Sequence, residues 1–355
     1  MASANVAPAP ARWSEATARD WYDNQPWLVG CNFIPSTGIN QLEMWQADTF
    51  DIETIARELG WASALGFNTA RVFLHDLLWR QDASGFIGRL DRFLATAGAC
   101  GIRPMFVLFD GVWDPHPKLG PQRAPRPHVH NSGWVQSPGA EILGDTSRHS
   151  ELEEYVKGVV GQFAADGRVL AWDLFNEPDN PNGAYSQQEV EKKDELAHAL
   201  LQKAFEWARA AGPTQPLTVG VWRGRASGSG ISAINDLMLA ESDVVSFHSY
   251  DGPDRVAKRI DELESYHRPL LLTEYLSRPT GSTLGALLPM LKERKVGAFN
   301  WGLVAGKTQT QYPWDSWVKR YDGEPEVWFH DIFCADGRAY DESEVAAIRR
   351  LTGVD

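Results

Sequence analysis

Eight short apolar or β-branched runs recur along the 355-residue chain, at 28–33, 69–74, 103–109, 169–175, 216–222, 244–250, 269–275 and 296–304. Each has the length and composition of a buried strand. Between and after them, apolar residues recur three and four apart, which predicts amphipathic helices over 52–65, 86–99, 151–164, 187–210, 231–240, 255–266, 284–295 and 342–351. Ser186 with Glu189, and Asp341 with Glu344, have the spacing of capping boxes that open two of these helices. Gly66, Gly101 and Gly212 stand where a helix ends in a left-handed residue. A strand-then-helix unit repeated in this way predicts an α/β chain folded as a single (β/α)8 TIM barrel. A competing open sheet would want a Gly-rich phosphate turn after its first strand, and Cys31-Asn32-Phe33-Ile34-Pro35 has none.

In such a barrel the loops that follow the strands carry the chemistry. The segments after the third and eighth runs, 110–150 and 305–340, are long and rich in Pro, Gly, His and Trp, whereas the turns entering the second, third and seventh runs are short. That asymmetry marks one end of the barrel as the working face. Residues 1–20, which open on an Ala- and Pro-rich stretch, read as a flexible lead-in, and 21–355 as one catalytic barrel.

Composition narrows the partners. Hydrophobic residues make up 43% and charged residues 23%, the profile of a globular protein, and the net charge of −13 speaks against nucleic acid and anionic membrane surfaces. No apolar run reaches the length of a bilayer-spanning helix. Cys31, Cys100 and Cys334 are too few and too scattered for a disulfide framework or a zinc cluster, and leave room for one bridge at most. Nothing calls for a cofactor, and the chain is expected to work as a monomer on a carbohydrate. The N-terminus lacks the basic and apolar regions of a signal peptide. An exported enzyme shown without its signal would begin this way, so a secreted or periplasmic place is expected, with a cytoplasmic one also open. The 15 tryptophans change the picture most. Trp45, Trp113, Trp134, Trp314 and Trp317 fall in polar, Pro- and Gly-rich stretches, where aromatic faces either floor a sugar site or pack loops onto the body.

Candidate chemistry collects at the strand ends. VLAWDLFNEP, at 169–178, is an apolar run that stops at Asn176-Glu177 because Pro178 cannot donate to a ladder. A carboxyl partly withdrawn from water has a raised pKa, which suits a general acid. The seventh run, LLLTEYL, carries Glu274, and a buried carboxylate is costly unless paired. Runs four and seven lie on opposite sides of an eight-stranded barrel, so the two carboxyls face each other across its mouth. Glycoside hydrolysis needs that arrangement, one carboxyl protonating the leaving oxygen while the other attacks, and a separation of roughly 5–5.5 Å marks a retaining enzyme. Arg71 and Tyr250 would hold Glu274 ionised with a low pKa. Asn176 would bind the hydroxyl beside the anomeric carbon, Trp301 would floor the ring, and His248 shares a strand face with Tyr250. His75, Asp110, Trp113 and Trp222, at further strand ends, are candidate sugar contacts, as are Glu43, Trp45, Lys307 and Trp314 in the loops. Each has an ordinary structural alternative; jointly, at one end of so many strands, they point to one site.

Arg71, Asn176-Glu177-Pro178, His248-x-Tyr250, Glu274 and Trp301, on those strands in that order, resemble the glycoside hydrolase clan A barrels, above all the cellulase-like family 5 with its cellulases, mannanases and xylanases. The likeness runs from residue 28 to residue 301. It implies Glu177 as acid/base and Glu274 as nucleophile. It also implies double displacement with net retention on β-linked glycosides or polysaccharides of the β-glucan, xylan or mannan class. One position departs: the family usually has a His at the end of strand three, where this chain reads Leu108-Phe109-Asp110-Gly111, and His75 would take its place in space.

Three rivals are distinguishable. Asp110, Asp114, His116, His128 and His130 share one loop and would make a metal-dependent hydrolase if they converged. A non-catalytic carbohydrate-binding barrel would keep the aromatic platforms but lack one of the two carboxylates, and both are here. A phosphate-handling barrel would want a Gly-rich anion site, which Ser277-Arg278-Pro279-Thr280-Gly281 matches poorly. Within the glycosidase reading, the third and eighth loops would either wall off the cleft for exo action or line an endo groove. Arg223, Arg225 and Lys307 at the mouth would favour an acidic sugar such as a uronate.

Overall fold

A computed structural model describes residues 11–223 and 232–354. Strands β1 (Val29–Asn32), β2 (Thr69–Phe73), β3 (Arg103–Asp110), β4 (Ala171–Asn176), β5 (Leu217–Gly220), β6 (Val245–His248), β7 (Leu270–Tyr275) and β8 (Gly297–Trp301) pair in parallel, in the order β5-β4-β3-β2-β1-β8-β7-β6. The ring closes between β5 and β6, where Val221 N donates to Ser246 O at 3.2 Å and His248 N donates to Val221 O at 2.8 Å. Each expected run supplies one strand of this (β/α)8 barrel.

Helix α1 (Glu15–Asp23) precedes β1, and α2 (Gln41–Trp45) and α3 (Ile52–Ala64) follow it. After β2 comes α4 (Asp76–Ala99), and after β3 come α5 (Ala140–Leu143) and α6 (Glu153–Gln162). Helices α7 (Lys193–Ala210), α8 (Ala233–Glu241), α9 (Pro253–Glu264), α10 (Leu284–Glu293) and α11 (Glu342–Thr352) follow β4 to β8 in turn. Asp341 caps α11 by accepting from Ser343 N at 2.8 Å, although Glu344 pairs with Arg278 rather than completing a box. Gly66, Gly101 and Gly212 adopt φ of 76°, 71° and 70° at helix ends, as expected.

Three local expectations are corrected. Helix α7 opens at Lys193, not at 187, because Glu189 turns away from Ser186 to accept from Lys193 Nζ at 2.7 Å and Gln136 Nε2 at 2.8 Å. Helix α4 starts ten residues earlier than its apolar spacing suggests, with Asp82 breaking the helical geometry inside it. The lead-in is not loose from residue 11 onward. Ser14 caps α1, and Trp21 and Tyr22 pack on Leu28, Met105, Leu170, Leu271 and Phe299 at the amino end of the barrel. An open barrel end would leave those side chains wet, and covering apolar surface is favourable by about 25 cal/mol per Å².

The ladder slips at three places near the carboxyl ends: between Asp173 and Asn176 on β4, Phe247 and His248 on β6, and Leu272 and Tyr275 on β7. Such irregularities re-aim side chains, and these strands carry Asn176, His248 and Glu274. The three cysteines are free, and among the described residues no helix is long and apolar enough to cross a membrane.

Candidate active site

A buried guanidinium organises the upper layer of the barrel. Arg71 donates from Nε and Nη2 to Asp173 Oδ2 at 2.9 and 2.8 Å, from Nη1 to Asn32 Oδ1 at 2.9 Å and Glu274 Oε1 at 2.8 Å, and from Nη2 to Asn176 Oδ1 at 2.7 Å. A buried cation is tolerated only when its donors are satisfied in this way. Asp173 and Asn32 escaped the sequence reading, yet Asp173 gave the signal that singled out Glu274: a charged residue inside an apolar run.

Glu274 also accepts from Tyr250 Oη at 2.7 Å. Across the mouth, Glu177 Oε1 lies 2.6 Å from His248 Nδ1, and its Oε2 accepts from Asn180 Nδ2 at 2.5 Å. A carboxylate oxygen of Glu177, one of Glu274 and a ring nitrogen of His248 all lie within 4.8 Å of one another. Glu177 holds a left-handed φ of 43°, a strained conformation for a residue with a side chain, of the kind that concentrates at functional sites. Gly220, at the end of β5, makes the packing possible: a Cβ there would sit 3.1 Å from both Arg71 Nη2 and His248 Nε2.

Burial raises the Glu177 carboxyl to about 7, against the opposing pull of Asn180 and Arg71. Burial also lowers His248 to about 4, so the imidazole is neutral at pH 7. Glu274 was expected to be held low. Instead burial, reinforced by the Glu177 charge, raises it above its ordinary value, against His248, Arg71 and Tyr250. Arg71 divides its donors between Asp173 and Glu274, so its pull on each is diluted. The two carboxyls still differ, since Glu274 receives a guanidinium and a hydroxyl whereas Glu177 has no Arg or Lys within salt-bridge reach among the described residues. A proton shared by the pair therefore resides on Glu177.

The carboxyls open into a cavity of about 470 Å³ that Asp110, Asn176, Tyr250, Trp113, Trp222, Trp301 and Trp314 also line, all of them expected there. Trp134 and Trp317, singled out as aromatic platforms, join them, as do Asn180, Asn182, His130 and His330, whose loop positions carried no periodic signal. His130 Nδ1 donates to Tyr312 O at 2.7 Å and His330 Nδ1 donates to Leu276 O. Burial lowers both imidazoles, His130 to about 4, so each Nε2 is an acceptor, without a hydrogen-bond partner among the described residues, on a ring that lines the cavity. Asp110, where a His was looked for, accepts from Trp134 Nε1 at 2.6 Å and Asn176 Nδ2 at 2.9 Å, and burial raises it to about 6. It fixes the amide of Asn176 against Arg71.

Four candidates lie elsewhere. Trp45 is fully buried, donates from Nε1 to Phe73 O at 2.9 Å and packs edge-on against Phe86 and Phe93. His75 is the N-cap of α4, accepting from Leu77 N at 3.2 Å, and does not line the cavity. Glu43 and Lys307 pair at 2.6 Å outside the cavity, spending each other's charge on joining two loops. Arg223 is shared between Asp179 and Asp194, each at 3.5 Å, and Arg225 lies outside the described residues. The third-loop metal ligands do not converge: Asp114 pairs with Arg123 at 3.2 Å, and His128 Nδ1 bonds Tyr321 O at 2.7 Å. Among the described residues the group with three close donors is Glu177, His248 and Glu274, where Arg71 and the His248–Glu177 bond already hold those atoms.

With this geometry in place, the similarities to known proteins fall on the same elements. Residues 128–222, which take in β4 with Asn176 and Glu177, match the model of Glycosyl hydrolase family 10. Over 93 residues, 25% of this chain, the sequence is 34% identical to a β-1,4-xylanase of Dictyoglomus thermophilum, and the chain spans 24% of that relative's length. An exo-β-1,4-mannosidase from Opitutaceae bacterium strain TAV5 is 20% identical with a TM-score of 0.62, over 92% of this chain and 59% of that one. GH5_18 from Streptomyces cattleya in complex with GlcNAc is 15% identical with a TM-score of 0.59, over 92% and 80%. A β-1,4-mannanase from the sea hare Aplysia kurodai is 16% identical with a TM-score of 0.55, over 85% and 95%. The chain has a (β/α)8 fold; its sequence match over residues 128–222 is to family 10 of the glycosyl hydrolases, and the structures it resembles include family 5 chains.

Proposed function

We propose that the protein is a retaining glycoside hydrolase acting on β-linked sugars. The observation that carries this reading is the approach of the Glu177 and Glu274 carboxylate oxygens to within 4.8 Å, in a cavity floored by Trp301. That closeness leaves no room for a water between acid and base on opposite faces of a sugar, as inversion requires, and fits the spacing of roughly 5–5.5 Å between carboxyl groups of retaining enzymes. A Glu274 oxygen attacks the anomeric carbon while the bond to the leaving oxygen breaks and Glu177 gives its proton to that oxygen. Glu177, now a carboxylate, takes a proton from water, whose oxygen displaces Glu274 and restores the starting configuration. Arg71 and Tyr250 stabilise the Glu274 carboxylate as it is released, and neutral His248 positions Glu177.

The names of the similar proteins, a β-1,4-xylanase and β-1,4-mannan-cleaving enzymes, support a β-1,4-linked plant-type carbohydrate as substrate. The test is a panel of aryl β-glycosides and β-1,4-linked oligosaccharides with wild type beside Glu274→Gln. Turnover that vanishes in the variant is expected, with azide restoring an α-glycosyl azide product in Glu274→Ala. A folded wild type inert on the whole panel would refute the reading.

A further inference from the structure

The site is blind on one side. The loops after β3 and β8 flank β1 and β2 in the ring, and they are joined across the top of those strands. Asn131 N donates to Thr308 O at 2.7 Å, His130 N donates to Ser316 Oγ at 2.9 Å, and Trp317 Nε1 donates to His130 O at 2.8 Å. Beneath this bridge three rings meet edge to face. Phe73 and Trp134 have centroids 5.2 Å apart, Phe73 and Trp301 5.7 Å, and Trp134 and Trp301 6.0 Å. Trp134 is pinned by its 2.6 Å bond to Asp110, a side chain that the whole upper layer holds in place. Behind the rings, toward β1, the described residues leave a void of about 20 Å³, room for a single water and far too small for a sugar ring.

On the other side, among the described residues, the cavity continues past Glu177. Asn180, Gly183 and Trp222 line it there, and Asn180 donates to Glu177. The leaving oxygen must be the one next to the acid, so the departing part of the substrate lies on the Asn180 and Trp222 side. The sugar that is attacked lies on Trp301, against the closed one.

We propose that the enzyme is exo-acting and removes single sugar units from the non-reducing end of its chain. The inference rests on the glycosidase reading and deepens it: the three-ring wedge leaves a place for one unit beyond the scissile bond and none for a second. The Nε2 atoms of His130 and His330 are then acceptors for hydroxyls of a terminal or adjoining sugar, which a continuous endo groove would not need to enclose.

The experiment uses the wild-type chain and the sugar series on which it turns over aryl β-monosides. β-1,4-linked oligosaccharides of that sugar, labelled at the reducing end, are followed from the first time points, together with nitrophenyl release from the aryl β-bioside. The expected result is a labelled ladder that shortens by one unit at a time, with monosaccharide as the unlabelled product. Direct nitrophenol release from the bioside should be slower than from the monoside by roughly 100-fold or more, since a second unit would clash with the wedge. Initial release of di- or trisaccharides, or equal rates on monoside and bioside, would overturn the exo assignment while leaving the glycosidase reading standing. Absence of any turnover, aryl monosides included, would overturn both.

Discussion

Arg71 Nη1 donates to Glu274 Oε1 at 2.8 Å from inside the barrel, while its other donors hold Asp173. One cation thus serves two buried carboxylates from different strands. Arg71→Met would leave both unpaired, a loss of about 3–5 kcal/mol, and its denaturation midpoint should fall accordingly. Arg71→Lys keeps the charge but not the planar fork. It should fold, and lose activity through kcat. A Lys variant with wild-type kcat would show that the fork is dispensable.

The pH profile should be governed by Glu177. Because burial raises this group to about 7, it carries its proton below that pH and loses it above. Hydrolysis of glycosides with poor leaving groups should decline as pH rises through about 7. Glu177→Gln should cost roughly 10²–10⁴-fold on such substrates and much less on dinitrophenyl glycosides, with the alkaline limb gone. Rates measured on both leaving groups across pH 5–9 decide this.

Gly220→Ala tests the packing of the frame. The added Cβ would press on Arg71 and His248, each with an atom 3.1 Å away, neither free to move without disturbing a carboxylate. Overpacking of this kind costs about 1–3 kcal/mol, and displacement of the acid should lower kcat/KM by roughly 10²-fold. A variant that melts lower yet keeps full kcat/KM would mean the frame yields without moving the acid.

A buried acid outside the reacting pair should make stability depend on pH. Burial raises Asp331 to about 7, against Thr310, which donates to its Oδ2 at 2.8 Å. The folded state therefore holds a proton that the unfolded chain, with a pKa of about 3.9, releases. The stabilisation is fully present below about pH 4 and is lost as pH rises through about 7. Asp331→Asn lacks that loss. Its melting temperature relative to wild type should climb between pH 4 and pH 8, and a constant difference would exclude the linkage.

The barrel was legible because its units are local. Period, capping residues and loop length act over neighbouring residues, and they located all eight strands and most of the helices that follow them to within a few residues; α4 starts ten residues early, ahead of its break at Asp82, and Glu189 resets the start of α7. Glu274, Arg71 and Asn176 were legible for a different reason. A charged or amide group inside an apolar run has to find a partner in the interior, and in a barrel the strand ends share that interior. The loop residues offered no such rule. Trp45 and Trp134 both sit in Gly- and Pro-rich stretches, yet one packs against Phe86 and Phe93 of α4 and the other beside Trp301 in the cavity, since composition says nothing about which way a loop folds back.

Spacing along the chain and the cost of burying charge set the eightfold strand-and-helix repeat, the opposed pair Glu177 and Glu274, and the aromatic supply before any long-range contact is made. It took the closed barrel to place Asp173 on Arg71 beside Glu274, to make His75, Trp45, Glu43 and Lys307 framework, and to join the third and eighth loops above β1 and β2. Those outcomes depend on contacts between residues far apart in the chain, such as Asn131 with Thr308 and Trp317 with His130. Contacts of that kind are made by shape and hydrogen-bond complementarity after the strands have closed the barrel, and no local pattern encodes them.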